Sequence, residues 1–214
     1  MAVDVKICGI TEADYAHLAA EHGARWLGFV FFEKSPRNLT LEAAEALGKE
    51  LPGGPKRVGV FVNAPDPLLK SAVEALSLDA VQLHGNETPE DAARLKEMLG
   101  VKIIKAISIG GEDDLAKADA FLPHVDRILF DAKPPKDAVL PGGNAVALPW
   151  HILKGKNLPY RWILAGGLTA ENVAEAIAAS DATAVDISSG VESAPGKKSP
   201  ERIKAFLSAA KAVK

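Results

Sequence analysis

One cysteine, Cys8, closes a short apolar run, Asp4-Val-Lys-Ile-Cys8, and Gly9 follows it. An aspartate closes another run, Arg127-Ile-Leu-Phe-Asp131. A thiol and a carboxyl in one site can divide acid and base work. A carboxyl kept protonated by partial burial donates a proton. A thiol accepts one where a cation or a helix N-terminus favours its thiolate. Without such help a thiol, with a pKa of about 8.5, is a poor base at neutral pH. Two other roles stay open for Cys8: a nucleophile, although no histidine and aspartate pair is arranged to serve it, or a small buried hydrophobe. Asp131 has the alternative of capping the loop after it.

Two turns suit an anion. Ala184-Val-Asp-Ile187 breaks into Ser188, Ser189 and Gly190, and Trp162-Ile-Leu-Ala165 breaks into Gly166 and Gly167. Small residues that present backbone N–H groups and hydroxyls in one concave turn fit a phosphate, most of all beside a helix N-terminus. A turn that binds nothing is the plain alternative. Asp186 and Glu192 bracket the serine turn, so a bound anion needs donors that outweigh two carboxylates. Arg37, in Glu33-Lys-Ser-Pro-Arg-Asn38, is a bidentate carboxylate clamp or a solvated loop cation. His84 is a pocket residue or a hydrogen-bond partner of a backbone carbonyl. Nothing among these residues looks like a metal cage, and no dinucleotide fingerprint is present.

The elements that must position these groups form one series. Strand-like runs at 4–8, 26–32, 57–62, 80–84, 102–107, 127–131, 162–165 and 184–187 alternate with stretches of helical period. Thr11 is placed to cap the first helix, which Gly23 stops. Further helices are expected over 40–51, from about 65, from Thr88-Pro89, from about 112, opening with Gly166-Gly-Leu-Thr-Ala-Glu171, and over 200–213. Residues 132–149 form a long loop. Alternation of this kind predicts parallel strands, and eight units in one chain fit a closed (β/α)₈ (TIM) barrel over 1–214 as a single domain. An open doubly wound sheet would carry its phosphate loop after the first strand. Here the Gly/Ser turns follow strands seven and eight, as the barrel prefers. The strand C-terminal ends then gather Cys8, Arg37, Asn63, His84, Asp131, Gly166, Gly167, Asp186, Ser188, Ser189 and Gly190 on one working face.

The 214 residues are 48% hydrophobic and 25% charged, with a net charge of −3, as in an ordinary globular protein. The balance argues against nucleic acid as a main partner. No apolar run is long enough to cross a membrane, and no signal pattern opens the chain, so a cytoplasmic location is expected. A lone cysteine excludes an internal disulfide. The helix faces are compatible with a monomer or a homodimer.

Seven segments together give a resemblance. They are Lys6-Ile-Cys-Gly-Ile-Thr11; Leu27-Gly-Phe-Val-Phe-Phe32 with Ser35-Pro-Arg37; Val58-Gly-Val-Phe-Val-Asn63; Val81-Gln-Leu-His-Gly85; Leu129-Phe-Asp-Ala-Lys133; Leu164-Ala-Gly-Gly-Leu-Thr169 with Glu171-Asn172; and Val185-Asp-Ile-Ser-Ser-Gly-Val-Glu192 with Pro195-Gly-Lys-Lys198. In this order, and across nearly the whole chain, the sequence resembles the phosphoribosylanthranilate isomerase family of tryptophan biosynthesis. The resemblance implies a cofactor-free Amadori rearrangement of a small phosphoribosyl substrate. It implies Asp131 as general acid at the furanose ring oxygen and Cys8 as general base at C2′. It also implies Arg37 at the anthranilate carboxylate, and a phosphate site of Gly166, Gly167, Ser188, Ser189 and Gly190. His84 and Asp186 match residues that line the family's pocket.

One region departs from the family pattern. A Gly-Gly-x-Gly run and an aromatic-Asp-Trp are expected after Asp-Ala-Lys. The chain instead reads Pro141-Gly-Gly-Asn-Ala-Val-Ala-Leu-Pro-Trp150, with Ala145 for the last glycine and Pro149 for the aspartate. Alanine disfavours a left-handed backbone, and proline opens a helix without a side-chain cap. Three rival readings fit less well. The histidine-pathway isomerase is expected to use two aspartates, against which Cys8 stands. A pentose-phosphate epimerase needs several metal ligands. A non-catalytic binder has no use for Cys8, Asp131 and Arg37 together.

Overall fold

The computed structural model describes residues 3–133 and 149–213. Eight strands, β1 (Asp4–Cys8), β2 (Trp26–Phe31), β3 (Lys56–Phe61), β4 (Ala80–Leu83), β5 (Lys102–Ile109), β6 (Arg127–Ala132), β7 (Trp162–Leu164) and β8 (Ala184–Ile187), pair in chain order, and β8 closes on β1. Every pairing is parallel, as the expected (β/α)₈ barrel requires. The helices are α1 (Ala13–Glu21), α2 (Leu41–Gly48), α3 (Asp66–Leu76), α4 (Pro89–Leu99), α5 (Val173–Ser180) and α6 (Pro200–Ala212), with 3₁₀ helices at Glu112–Phe121 and Trp150–Leu153. Among the described residues no helix is long and apolar enough to cross a membrane.

Strands buried on both faces read as continuous apolar runs, and β2 is buried at every position. One face fills the barrel. Trp26, Val58, Ala80, Ile104, Ala106, Leu129, Ile163, Ala165 and Ala184 form that inner cluster. The other face, including Ile7, Leu27, Phe29, Phe61 and Phe130, packs in one cluster with helix residues such as Ala16, Ala72, Ala92 and Phe206. A third cluster, Cys8, Val30 and Val60 with Phe32 against it, forms an apolar wall beside the thiol.

Local chemistry sets the helix ends. Thr40 caps α2 by accepting from the Ala43 N–H. Thr88 and Asp91 make a reciprocal capping box at α4, and Pro89 stands in its first turn, as favours a helix start. Gly100 ends α4 in the left-handed region. Three expectations need correction. Thr11 does not cap α1, which starts a residue later behind Glu12 with no side-chain capping bond. The segment from Glu112 is 3₁₀ rather than α, because only Ala118 is buried and it offers little apolar face to pack. The helix after β7 begins at Val173, not at the glycines. Gly166 (φ 88) and Gly167 (φ 64) both have positive φ, which an α-helix does not hold. Asn172 fastens that turn, donating to the Gly167 carbonyl and accepting from the Thr169 N–H. Beyond the barrel, β9 (Glu192–Ala194) and β10 (Lys197–Lys198) form an antiparallel hairpin. Ala145 and the rest of 134–148, the greater part of the long loop, lie outside the described residues. Pro149 precedes the Trp150–Leu153 helix without a side-chain cap.

Candidate active site

Cys8 ends β1 at the barrel mouth and is 6% exposed. Side chains two apart on a strand share a face, so Lys6 points into the barrel beneath it. The Lys6 ammonium, fully buried, donates to Asp186 Oδ1 at 2.8 Å, and the two residues are register partners across β1 and β8. Burial pushes the Cys8 thiol up. Lys6 opposes that most strongly, Asp186 adds to it, and Lys198 opposes it.

The hairpin after β8 supplies a second charged cluster. Glu192 accepts from Arg37 Nε at 2.6 Å and from Arg37 Nη2 at 2.7 Å. Its Oε1 also accepts from Lys198 Nζ at 2.9 Å, and the same ammonium donates to the Ser188 carbonyl. Burial alone would raise the Glu192 carboxyl. The Arg37 hydrogen bonds and the Lys198 charge outweigh it and hold the group below the ordinary carboxylate range. Arg37 is therefore a buried, bidentate partner of a carboxylate within the chain, not a solvated loop cation. Both carboxylates that bracket the serine turn are paired, Asp186 with Lys6 and Glu192 with Arg37 and Lys198. Three cations face two carboxylates, which leaves one positive charge in excess on this side of the mouth.

The opposite side is built differently. Asp131 lies on β6 with 6% exposure. Its Oδ1 accepts from the Ala132 N–H at 2.8 Å, and its Oδ2 is 3.4 Å from His84 Nε2. His84 follows β4, and its Nδ1 lies 3.1 Å from Gln82 Nε2. The Gln82 amide is placed to donate to Nδ1, and Nε2 is the ring nitrogen that faces Asp131. Among the described residues, His84 Nε2 and Gln82 Oε1 are buried without a hydrogen-bond partner. Glu87 holds the neighbouring loops, accepting from the Asn63 and Gly85 N–H groups and from Lys105 Nζ. Gly166 touches the same corner. A Cβ there would stand 2.6 Å from the Ala132 nitrogen and 3.1 Å from Asp131 Oδ1.

Between the two sides lie the turns after β7 and β8. Ser188 donates its hydroxyl to the Cys8 carbonyl at 3.1 Å, and Ser189 and Gly190 sit in a 3₁₀ turn, Ser189–Val191. Gly190 also lines a cavity of about 310 Å³ with Thr169, Ala170, Glu171, Arg202 and Ala205, which neither Cys8 nor Asp131 lines. The fold thus gathers the residues singled out in the sequence at the mouth. Reading the sequence missed Lys6, Gln82 and the pairing of Glu192 with Lys198. One signal was available: Lys6 is a charge in an otherwise apolar strand, in phase with Cys8.

These groups, at the C-terminal ends of parallel barrel strands, define an enzyme of the (β/α)₈ class. A sequence profile for N-(5'phosphoribosyl)anthranilate (PRA) isomerase matches residues 5–209. The N-(5'-phosphoribosyl)anthranilate isomerase of Paramagnetospirillum magneticum is 50% identical over 211 residues, covering 99% of this chain and 98% of the relative. The crystal structure of phosphoribosyl anthranilate isomerase from Thermotoga maritima superposes with a TM-score of 0.85 at 39% identity, covering 98% of each chain. A phosphoribosyl anthranilate isomerase crystallised with reduced 1-(o-carboxyphenylamino)-1-deoxyribulose 5-phosphate superposes with a TM-score of 0.82 at 38% identity, again over 98% of each chain. The chain belongs to the N-(5'-phosphoribosyl)anthranilate isomerase family.

Proposed function

We propose that the chain works as one catalytic domain that converts N-(5-phosphoribosyl)anthranilate into 1-(2-carboxyphenylamino)-1-deoxyribulose 5-phosphate in tryptophan biosynthesis. Asp131 protonates the furanose ring oxygen, and the C1′–O bond breaks to give an open iminium form. Cys8 removes the C2′ proton, the C2′–H electron pair forms the C1′=C2′ bond, and the C1′=N pair returns to nitrogen to give an enolamine. Tautomerisation returns a proton to C1′ and leaves the ketone, so no atom is gained or lost. The observation that supports this reading most is that Asp131, on β6, and Cys8, on β1, stand on either side of the turns after β7 and β8. A phosphate held in those turns, by Gly166, Gly167, Ser188, Ser189 and Gly190, puts the sugar between Asp131 and Cys8.

The wall of Val30, Val60 and Phe32 beside Cys8 suits the aromatic ring. Arg37 uses Nε and Nη2 on Glu192, and among the described residues Nη1 makes no bond, which suits it to the anthranilate carboxylate. His84 supports Asp131, and Asp186 lines the pocket through Lys6. A reducing compartment such as the cytoplasm keeps Cys8 a thiol. The test is the anthranilate fluorescence of freshly generated substrate. Wild type is expected to turn it over, and Cys8→Ser and Asp131→Asn each to lose about 10²–10⁴-fold in kcat with binding retained. Unchanged kcat in both variants would refute the assigned roles.

A further inference from the structure

Lys6 has no part in the reaction as described, yet it is wholly buried in the barrel. Burying an ammonium is costly unless it is paired, and its ion pair with Asp186 explains how it survives there. The pair does not explain where the ammonium points. Gly28, the register partner of Cys8 on β2, marks the spot. A Cβ on Gly28 would lie 3.0 Å from Lys6 Nζ and 2.9 Å from Cys8 Sγ. Ammonium and thiol therefore converge on one small space that exists because position 28 has no side chain. The charged groups facing Cys8 are Lys6 from its own strand, Asp186 from β8 and Lys198 from β10. The apolar wall at the thiol adds only uncharged side chains, Val30 from β2 and Val60 from β3. Beyond Lys198 lie Glu192 and Arg37.

We propose that Lys6 is a positioning residue of the isomerase site, a fixed ammonium that lets the buried Cys8 give up its proton, with Gly28 as the space that admits it. This rests on the reading of Cys8 as the base. Lys6 suits the part because it stays charged. Burial would lower its pKa, but Asp186 and then Cys8 outweigh that and raise it. Asp186 has two opposed effects: it anchors Lys6 and it disfavours the thiolate.

Cys8 is the single cysteine, so in the full chain the pH dependence of iodoacetamide alkylation titrates that thiol alone. Lys6→Met is expected to raise the alkylation midpoint by about one pH unit or more, a roughly tenfold loss of thiolate at fixed pH. Asp186→Asn is expected to lower it. Loss of packing alone would not move the two variants in opposite directions. The acid limb of the kcat/KM profile of Lys6→Met should move up with its alkylation midpoint. If Lys6→Met does not fold, the Lys6→Met/Asp186→Asn double variant carries neither charge and should still titrate above wild type. An unmoved midpoint, shifts of the same sign, or a kcat/KM limb that stays in place while the midpoint moves each overturns the proposal. Wild-type turnover by Cys8→Ser would overturn the base reading instead, and it is read in a separate assay from the alkylation.

Discussion

The two sides of the barrel mouth solve opposite problems. On the β1 and β8 side, Cys8 as the proposed base has to become an anion while buried, and its surroundings are ionic: Lys6, Lys198 and Arg37 against Asp186 and Glu192. On the β4 and β6 side, Asp131 accepts from the Ala132 N–H and faces His84, which meets the Gln82 amide, and the buried cation there, Lys105, is paired with Glu87. A group that donates a proton works from a neutral form, which burial favours; a group that accepts one must carry charge there, which burial opposes. The cations beside Cys8 suit the proposed base.

The contrast can be broken in order of expected effect. Removing either reacting group, by Cys8→Ser or Asp131→Asn, should cost about 10²–10⁴-fold in kcat. Glu192→Gln leaves Arg37 and Lys198 buried without their carboxylate. It should cost about 3–5 kcal/mol in denaturant unfolding, the penalty of an uncompensated buried charge. Gln82→Ala, on the β4 and β6 side, should cost only about 1–3 kcal/mol, and equal costs at the two positions would erase the distinction. Gly166→Ala forces a side chain into the left-handed region and against the Ala132 nitrogen. About 1–3 kcal/mol of strain is expected, with a fall in kcat as Asp131 shifts.

The sign of the pH effect follows from Glu192. Its folded carboxyl lies below the ordinary value of 4.5, so the stability it contributes is complete above that pH. That stability drains away at lower pH, as the folded carboxyl takes up a proton. Thermal unfolding between about pH 6 and about pH 3 should show this loss, and Glu192→Gln should flatten it. Thr88→Ala removes the α4 cap, whose side-chain bonds stay within Thr88 and Asp91 and reach neither Cys8 nor Asp131. It should cost only about 1 kcal/mol and leave turnover alone.

The barrel was legible because its signals are local. Continuous apolar runs, Thr40, the Thr88-Pro89 start and the position of the Gly/Ser turns are each readable within a few residues. Cys8 stood out by its residue type and its place at a strand end. The charge partners did not, since Lys6 meets Asp186 at a separation of 180 residues and Arg37 meets Glu192 at 155. The hairpin at 192–198 was not legible, because strands of three and two residues carry no periodicity.

The order of strands, the parallel barrel and the set of side chains at its mouth follow from the sequence, because hydrophobic period and turn residues act over one element at a time. Which cation neutralises which carboxylate, and that Lys6 and Cys8 share the space left by Gly28, follow only from closure of the barrel. Closure places β8 beside β1, and in the low-dielectric interior a charge is stable only where that geometry brings it a partner.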